Sequence, residues 1–346
     1  MLHRGYAHAD PQDCGESRPL TPPVRAMKRV LLLLPAIAGL ALSVPARAAD
    51  ESYLFAYFTG NGVDGLHFLR SENGLAWTKV QGGKSFLRPE IDADRLMRDP
   101  CIFQGPDGEF RLVWTTSWKS RNIGYAHSAD LIHWSKEELL PVMAQEPTAL
   151  NAWAPELTYD PGRHHYLIFW ASTIPGRFPE TERTGDPAVA GAAVYNHRIY
   201  GTTTADFVSY GPTRLIYDGG FNAIDATMAR DGDGWLMFIK DETLRPTPQK
   251  NIRLVRAPSP EGPFAERSAP ITGPGYWAEG PTSIKIDGAW YVYVDRYREH
   301  RFGAVRSTDL VHWEDVTSQL AIPKETKHGT VFRVPRAVAD RLEAAP

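Results

Sequence analysis

Four carboxylates and an imidazole stand at matching points along the chain. Asp99, Glu156, Asp225 and Glu279 each sit at the mouth of a short apolar run, and each run leads through a tight turn into a second one. His328 opens a further run of the same kind. If a fold gathered these groups around one enclosed space, their charges would repel and their pKa values would split. Some would stay ionised and one could rise far enough to donate a proton. Glycoside hydrolysis needs that arrangement: one carboxylic acid protonates the leaving oxygen, and one carboxylate activates water or attacks carbon. A single acid at a strand end is more commonly a ligand for a neighbouring loop; the set carries meaning because the positions correspond. Carboxylates with a histidine can also hold a cation, although no compact ligand motif is present.

The elements that must position these groups repeat. Glu279 lies in Trp277-Ala278-Glu279-Gly280-Pro281-Thr282, ahead of a turn at Asp287-Gly288 and the run Ala289-Trp290-Tyr291-Val292-Tyr293-Val294. Asp99 leads to Asp107-Gly108, Asp225 to Asp233-Gly234, and Glu156 to Pro161-Gly162. A second signal closes each unit. Ser128-Ala129-Asp130-Leu131-Ile132-His133-Trp134 returns as Ser307-Thr308-Asp309-Leu310-Val311-His312-Trp313. Weaker copies begin at Ser71, Thr204 and Ala257. Short runs broken by Gly, Pro, Asp and Asn, with no sustained helical period, predict an all-β chain. Five such copies predict a five-bladed β-propeller. Residues 52–80 supply three strands and lack the opening one, while 328–335 read as a strand without a unit. The C-terminal strand is therefore expected to join the N-terminal blade and close the ring, removing free sheet edges. The expected blades are 52–80 with 328–335, 99–143, 153–216, 224–271 and 278–322. The inner strands then bring Asp99, Glu156, Asp225, Glu279 and His328 to one end of the axis. Residues 172–193, rich in Pro, Gly and charge, interrupt the third blade as a surface loop or a wall over the site.

The 346 residues carry a net charge of -3, which gives no footing for a nucleic-acid partner. The two cysteines, Cys14 and Cys101, make no disulfide framework, and Cys101 reads as a buried small hydrophobe. Met27-Lys28-Arg29, the apolar run 30–42 and Ala46-Arg47-Ala48 form a leader with a cleavage site. The domain reading is an upstream extension over 1–26, a signal peptide over 27–48 and a propeller over 49–340. The mature protein is expected to be secreted or periplasmic, with no membrane span.

Met97-Arg98-Asp99-Pro100, Trp153-Ala154-Pro155-Glu156, Phe221-Asn222-Ala223-Ile224-Asp225, Trp277-Ala278-Glu279-Gly280-Pro281 and Lys327-His328-Gly329-Thr330-Val331 together resemble the blade-opening motifs of glycoside hydrolase family 43. The resemblance runs in order along nearly the whole chain after the leader. It implies a five-bladed propeller that hydrolyses arabinofuranosides, xylosides or some galactosides with inversion. By motif it makes Asp99 the general base, Glu279 the general acid, and Asp225 the group that tunes and holds Glu279. The base assignment rests on the Arg-Asp-Pro match, since Asp92 and Asp94 stand close before it. Inversion implies that the Asp99 and Glu279 carboxyls lie roughly 6.5–9.5 Å apart. Glu156 would be a pocket residue, and His328 would lie near the axis holding water or a cation. No cofactor is required; a structural Ca2+ near His328 is the one allowed.

The expected partner is an oligo- or polysaccharide, with Trp118, Trp153, Phe221 and Arg296 as further substrate contacts. Three rivals remain. A retaining β-fructosidase would need an Asn-Asp-Pro-Asn-Gly nucleophile setting and a Glu followed by Cys, whereas Pro100-Cys101 and Gly280-Pro281 follow the acids here. A phosphorylase would need a basic cluster near the axial motifs. A non-catalytic carbohydrate-binding propeller would not need all three acids.

Overall fold

The computed structural model describes residues 50–182, 186–187, 194–273 and 275–346; the expected leader and Cys14 lie outside them. Five sheets follow one another. The first holds β1 (Glu51–Tyr57), β2 (His67–Ser71) and β3 (Thr78–Lys79). The second holds β4 (Arg98–Gln104), β5 (Phe110–Thr115), β6 (Ile123–Ser128) and β7 (Glu138–Leu140). In the third, β8 (Trp153–Asp160) and β9 (His165–Ser172) precede an inserted two-residue pairing of β10 (Asp186–Pro187) with β11 (Val194–Tyr195). β12 (Arg198–Thr204) and β13 (Arg214–Tyr217) then complete that sheet. The fourth has β14 (Ala223–Asp231), β15 (Gly234–Asp241) and β16 (Asn251–Ala257). The fifth has β17 (Glu279–Ile286), β18 (Ala289–Arg296), β19 (Arg301–Ser307) and β20 (Glu314–Asp315). The C-terminal strand β21 (Thr330–Pro335) pairs antiparallel with β1, from Glu51↔Pro335 to Ala56↔Thr330, and becomes the inner strand of the first blade. The expected ring closure is what the sheet order shows.

The ring is held by five apolar clusters, one between each pair of neighbouring blades. Their largest members, such as Trp114, Trp170, Tyr293 and Phe238, are essentially fully buried. Each such side chain contributes about 1.5–3 kcal/mol from burial. Inner strands touch in the order β21, β4, β8, β14, β17 and back to β21.

The repeated Ser/Thr-x-Asp/Asn turn has a single physical cause. In Ser128–Asp130 the hydroxyl accepts from the amides of Asp130 and Leu131, and Asp130 Oδ1 accepts from those of Ile132 and His133 at 2.9 and 2.8 Å. The same four bonds recur at Ser71/Asn73, Thr204/Asp206 and Ser307/Asp309. The next residue is left-handed in all four: Gly74, Leu131, Phe207 and Leu310 have φ of 73, 67, 57 and 60°. The fifth copy uses a Ser259 hydroxyl bonded to the Gly262 carbonyl instead.

Three expectations need correction. A helix, α1 (Arg336–Ala344), follows β21, where the sequence shows no sustained helical period. Val338, Ala339 and Leu342 are its only three buried side chains, and they cap the cluster between the first two blades. Nine residues with one narrow apolar stripe leave little period to detect. The fourth blade has three regular strands; residues 265–271 take the fourth place through the Ser268 N–H to Leu254 and Ile271 N–H to Ile252 carbonyl bonds, without strand geometry. The acids, finally, do not occupy one repeated position, as the site geometry below makes clear. Among the described residues no helix is long and apolar enough to cross a membrane.

Candidate active site

Each of β4, β8, β14 and β17 is broken by a bulge just inside its start. At the break stands a residue in the left-handed region: Asp99, Ala154, Asp225 and Gly280, with φ of 51, 45, 51 and 53°. Bulges of this kind re-aim side chains, and for a non-glycine residue the conformation costs energy that the surroundings must hold in place. Asp tolerates it better than most residues. The bulge fixes the equivalences. Asp99 and Asp225 share the bulge position. Glu279 stands one residue before it, with Arg98, Trp153 and Ile224 as its counterparts. Glu156 stands two residues after, level with Cys101, Thr227 and Thr282.

Two layers result. The upper one forms a pocket with about 560 Å3 of empty space, open to solvent, lined among others by Arg98, Asp99, Trp118, Trp153, Asp225 and Glu279. The lower one is a narrow axial channel lined by Asp99, Glu156, Asp225 and His328 with backbone of the bulges. Glu156, expected beside the substrate, lines this channel and not the upper pocket. Its carboxylate accepts from Thr227 Oγ1 at 3.0 Å, and burial, with the Asp225 charge, pushes it up to about 8 against its bonds to Thr227 and Cys101. Burial also raises the Cys101 thiol well above its ordinary value. Cys101 is free and buried, as its sequence suggested.

His328 joins the layers. Its Nε2 lies 2.5 Å from Asp99 Oδ1, and its Nδ1 is 3.8 Å from Glu279 Oε1 and 3.9 Å from Asp295 Oδ2. Asp99 and Glu279 therefore face different nitrogens of one ring. Thr115 Oγ1 donates to the other Asp99 oxygen at 2.7 Å and accepts from the Ala154 amide at 2.8 Å. Burial opposes ionisation of Asp99, yet the His328 charge and hydrogen bond, with Arg98 and Thr115, hold it down at about 2. Burial would lower His328, but Asp99 above all, then Glu279 and Asp225, raise it to about 9. Asp225 is pushed up to about 6 by burial, with the charges of Glu279 and Asp99 adding to it and those of His328 and Lys240 opposing. Its Oδ2 accepts from the Gly280 amide at 3.0 Å, so it grips the backbone next to Glu279. Gly280 is required there, because a Cβ would stand 2.2 Å from the His328 ring.

Four partners were not read from the sequence: Thr115, Lys240, Asp295 and Asn61. The first three come from second strands at matching places. Arg98 pairs with Thr115, Ile224 with Lys240 and Glu279 with Asp295, each just outside the bulge. Lys240 is buried and donates to Glu279 Oε2 at 3.1 Å, with Glu242 Oε2 at 2.6 Å; Glu242 is bound in turn by Lys250 at 2.5 Å. Burial works against the Lys240 charge, and Glu242, Glu279 and Asp225 more than restore it. A lysine ending the apolar run Trp235-Leu236-Met237-Phe238-Ile239 was the available signal.

Trp118 and Trp153 meet edge to face at 5.5 Å, and Arg98 stacks on Trp118 at 4.2 Å while donating to Asn61 Oδ1. The Tyr195 ring, from the insertion in the third blade, lies 4.8 Å from Trp153, so the described end of that insertion backs the wall of the pocket. Two expected contacts do not reach it. Phe221 is 4 % exposed, packed on Tyr217 and covered by the Arg267 guanidinium. Arg296 stacks on Tyr276 at 4.1 Å and pairs with Glu299. Both sit near a motif in sequence but point into blade packing.

Glu279, Asp295 and His328 offer ligand atoms within 4.8 Å of one another, and Asp295 Oδ2 and His328 Nδ1 are buried without a hydrogen-bond partner. Calcium takes six to eight oxygens. Here two carboxylate oxygens and a nitrogen are offered, with Lys327 3.6 Å from Asp295 and Lys240 on Glu279. These three donors are fewer than calcium's six to eight and do not by themselves make the structural Ca2+ site that the sequence allows near His328.

A family model described as a probable glycosyl hydrolase domain, of a group related to glycoside hydrolase family 43, matches residues 49–340. An α-L-arabinofuranosidase of Bifidobacterium longum subsp. longum is 25 % identical over 240 residues, which are 59 % of this chain and 22 % of that protein. The chain thus spans under a quarter of that relative's length. Among solved structures, an α-L-arabinofuranosidase from Lactobacillus brevis is similar over 64 % of this chain and 72 % of its own, at 17 % identity and a TM-score of 0.47. A native arabinanase from Bacillus subtilis is similar over 63 % and 75 %, at 16 % and 0.46.

Proposed function

We propose that this chain, which belongs to the probable glycosyl hydrolase domains related to glycoside hydrolase family 43, hydrolyses an O-glycosidic bond of an oligo- or polysaccharide with inversion at the anomeric carbon. The observation that carries this is the placing of Asp99 and Glu279 on different nitrogens of His328, at the floor of an aromatic-walled pocket. Asp99, held ionised by His328 and Thr115, takes a proton from water as the water oxygen bonds to the anomeric carbon. Glu279 gives its proton to the glycosidic oxygen as the bond to carbon breaks. Asp225 positions Glu279 through the Gly280 amide, and Lys240 compensates the carboxylate that proton transfer leaves behind. Arabinofuranosyl bonds come first among the substrates, with β-xylosyl and galactosyl bonds next; the similarity to the Bifidobacterium enzyme supports that order. The leader pattern over 27–48 supports export to the periplasm or the medium.

The test is a panel of p-nitrophenyl glycosides offered to residues 49–346: α-L-arabinofuranoside, β-D-xyloside, β-D-galactoside, β-D-galactofuranoside and β-D-fructofuranoside. Release from one of the first four that is abolished in Asp99→Asn supports the reading. Release that survives the substitution contradicts it, and release from the fructofuranoside alone favours the retaining alternative.

A further inference from the structure

The surroundings of Glu279 differ from those of Asp99 in a way that hydrolysis alone does not require. Beside Asp99 stand His328 and Arg98, the latter stacked on Trp118 at 4.2 Å and bonded to Asn61. Beside Glu279 the chain gathers cations, although its net charge is -3. Lys240 binds Glu279 itself, and its ammonium lies 5.0 Å above the Tyr297 ring. Tyr297 meets Trp277 at 6.2 Å between centroids. Trp277, two residues before Glu279, carries Lys250 at 5.8 Å and the Arg298 guanidinium at 3.2 Å from its ring centre. Lys240 and Lys250 are neutralised by Glu242 and Glu279. Arg298 is exposed, and no ion pair holds it among the described residues; its neighbour Glu299 is taken by Arg296 and Arg301.

We propose that Trp277, Tyr297 and Arg298 form a leaving-group subsite for an anionic sugar, a uronate being the unit that fits best. This rests on Glu279 being the proton donor, because the donor must lie against the departing sugar. The face of Trp277 is covered by the guanidinium, so the surface offered there is a planar fork of N–H donors rather than a stacking platform. Such a fork pairs with a carboxylate through two parallel bonds, and a ring beneath it fixes its plane. A sulfate ester would present the same charge in another geometry.

The measurement is calorimetric binding of D-glucuronate, D-glucose and D-glucose 6-sulfate to residues 49–346, repeated with Arg298→Ala, Arg298→Glu and the remote control Lys136→Ala. Glucuronate is expected to bind at least about tenfold more tightly than glucose, with the gap closing in 0.5 M salt. Arg298→Ala should abolish the gap, Arg298→Glu reverse it, and Lys136→Ala leave it intact, with all melting temperatures alike. Glucose 6-sulfate binding above glucuronate would keep the subsite and assign its ligand as a sulfate ester. Equal binding of glucose and both anions, or a gap that survives Arg298→Ala, would overturn the proposal. Binding is read without turnover, so a chain that hydrolyses nothing on the glycoside panel would fail the functional reading and leave this result separate.

Discussion

At Asp99 both carboxylate oxygens already have partners, His328 on one and Thr115 on the other. As the proposed base, a carboxylate so held is ionised at every working pH; its replacement by Asn should lower kcat by about 10²–10⁴ and, by removing the Asp99–His328 pair, lower the melting temperature near neutral pH. Glu279→Gln should spare substrates with good leaving groups and cripple those with poor ones, which paired assays on nitrophenyl glycosides and the corresponding disaccharides would read. The Asp99–His328 pair also sets a stability window. Asp99 sits at about 2 in the fold against 3.8, so its contribution is present above about pH 4 and lost as pH falls through 2. His328 sits at about 9 against 6.5, so its contribution is full below 6.5 and lost as pH rises through 9. The pair's contribution to the melting temperature should hold between about pH 4 and 6.5 and fall on either side, and His328→Asn should flatten the alkaline loss. Glu156 behaves in the opposite sense. Raised to about 8 from 4.5, it costs nothing below 4.5 and increasingly more up to 8. Glu156→Gln should therefore raise the melting temperature at pH 8, by roughly 2–4 °C for each kcal/mol regained, and leave it nearly unchanged at pH 4.5.

Among the elements, the bulged inner strand decides what a motif means. Asp99, Asp225, Glu279 and His328 were legible because repetition marked them, and the fold brings all four to one pocket floor. Their exact equivalence was not legible: the extra residue in each bulge shifts the side-chain alternation, so Glu156 falls a layer lower than Asp99. For the same reason Phe221 and Arg296, close to motifs in sequence, turn into blade packing. Thr115 and Asp295 escape a reading of the sequence because their roles depend on pairing register between first and second strands, which no local pattern reveals; Lys240 leaves one trace, a lysine ending an apolar run. The turn repeat was legible, and it has a measurable cost. Ser128→Ala removes an acceptor shared by two amides, one of them buried. It should destabilise by about 1–3 kcal/mol, seen as a lower denaturant midpoint at constant slope.

For the whole molecule, the ring closes through β21, a strand separated from its partner β1 by the length of the chain. The missing opening strand at 52–80 and the orphan strand at 328–335 make this closure readable, whereas the short α1 that follows is not. Ending the chain at residue 329 would expose the edge of β1 and strip the cluster between the first two blades of Val334, Val338, Ala339 and Leu342. Such a chain should lose cooperative thermal unfolding and aggregate, which calorimetry and light scattering would show; a sharp two-state transition would speak against closure as the source of cooperativity. The ring also sets the proposed chemistry, because it alone brings Asp99 of the second blade, the proposed base, and Glu279 of the fifth, the proposed acid, to one histidine beside the strand that closes the first. The direct measurement is the anomeric configuration of the first-formed product, followed by proton NMR during hydrolysis of the best glycoside from the panel. Water activated by Asp99 on the face opposite Glu279 gives the inverted anomer first, with the other appearing later by mutarotation. The retained anomer appearing first would contradict direct displacement by water and require a covalent intermediate on Asp99.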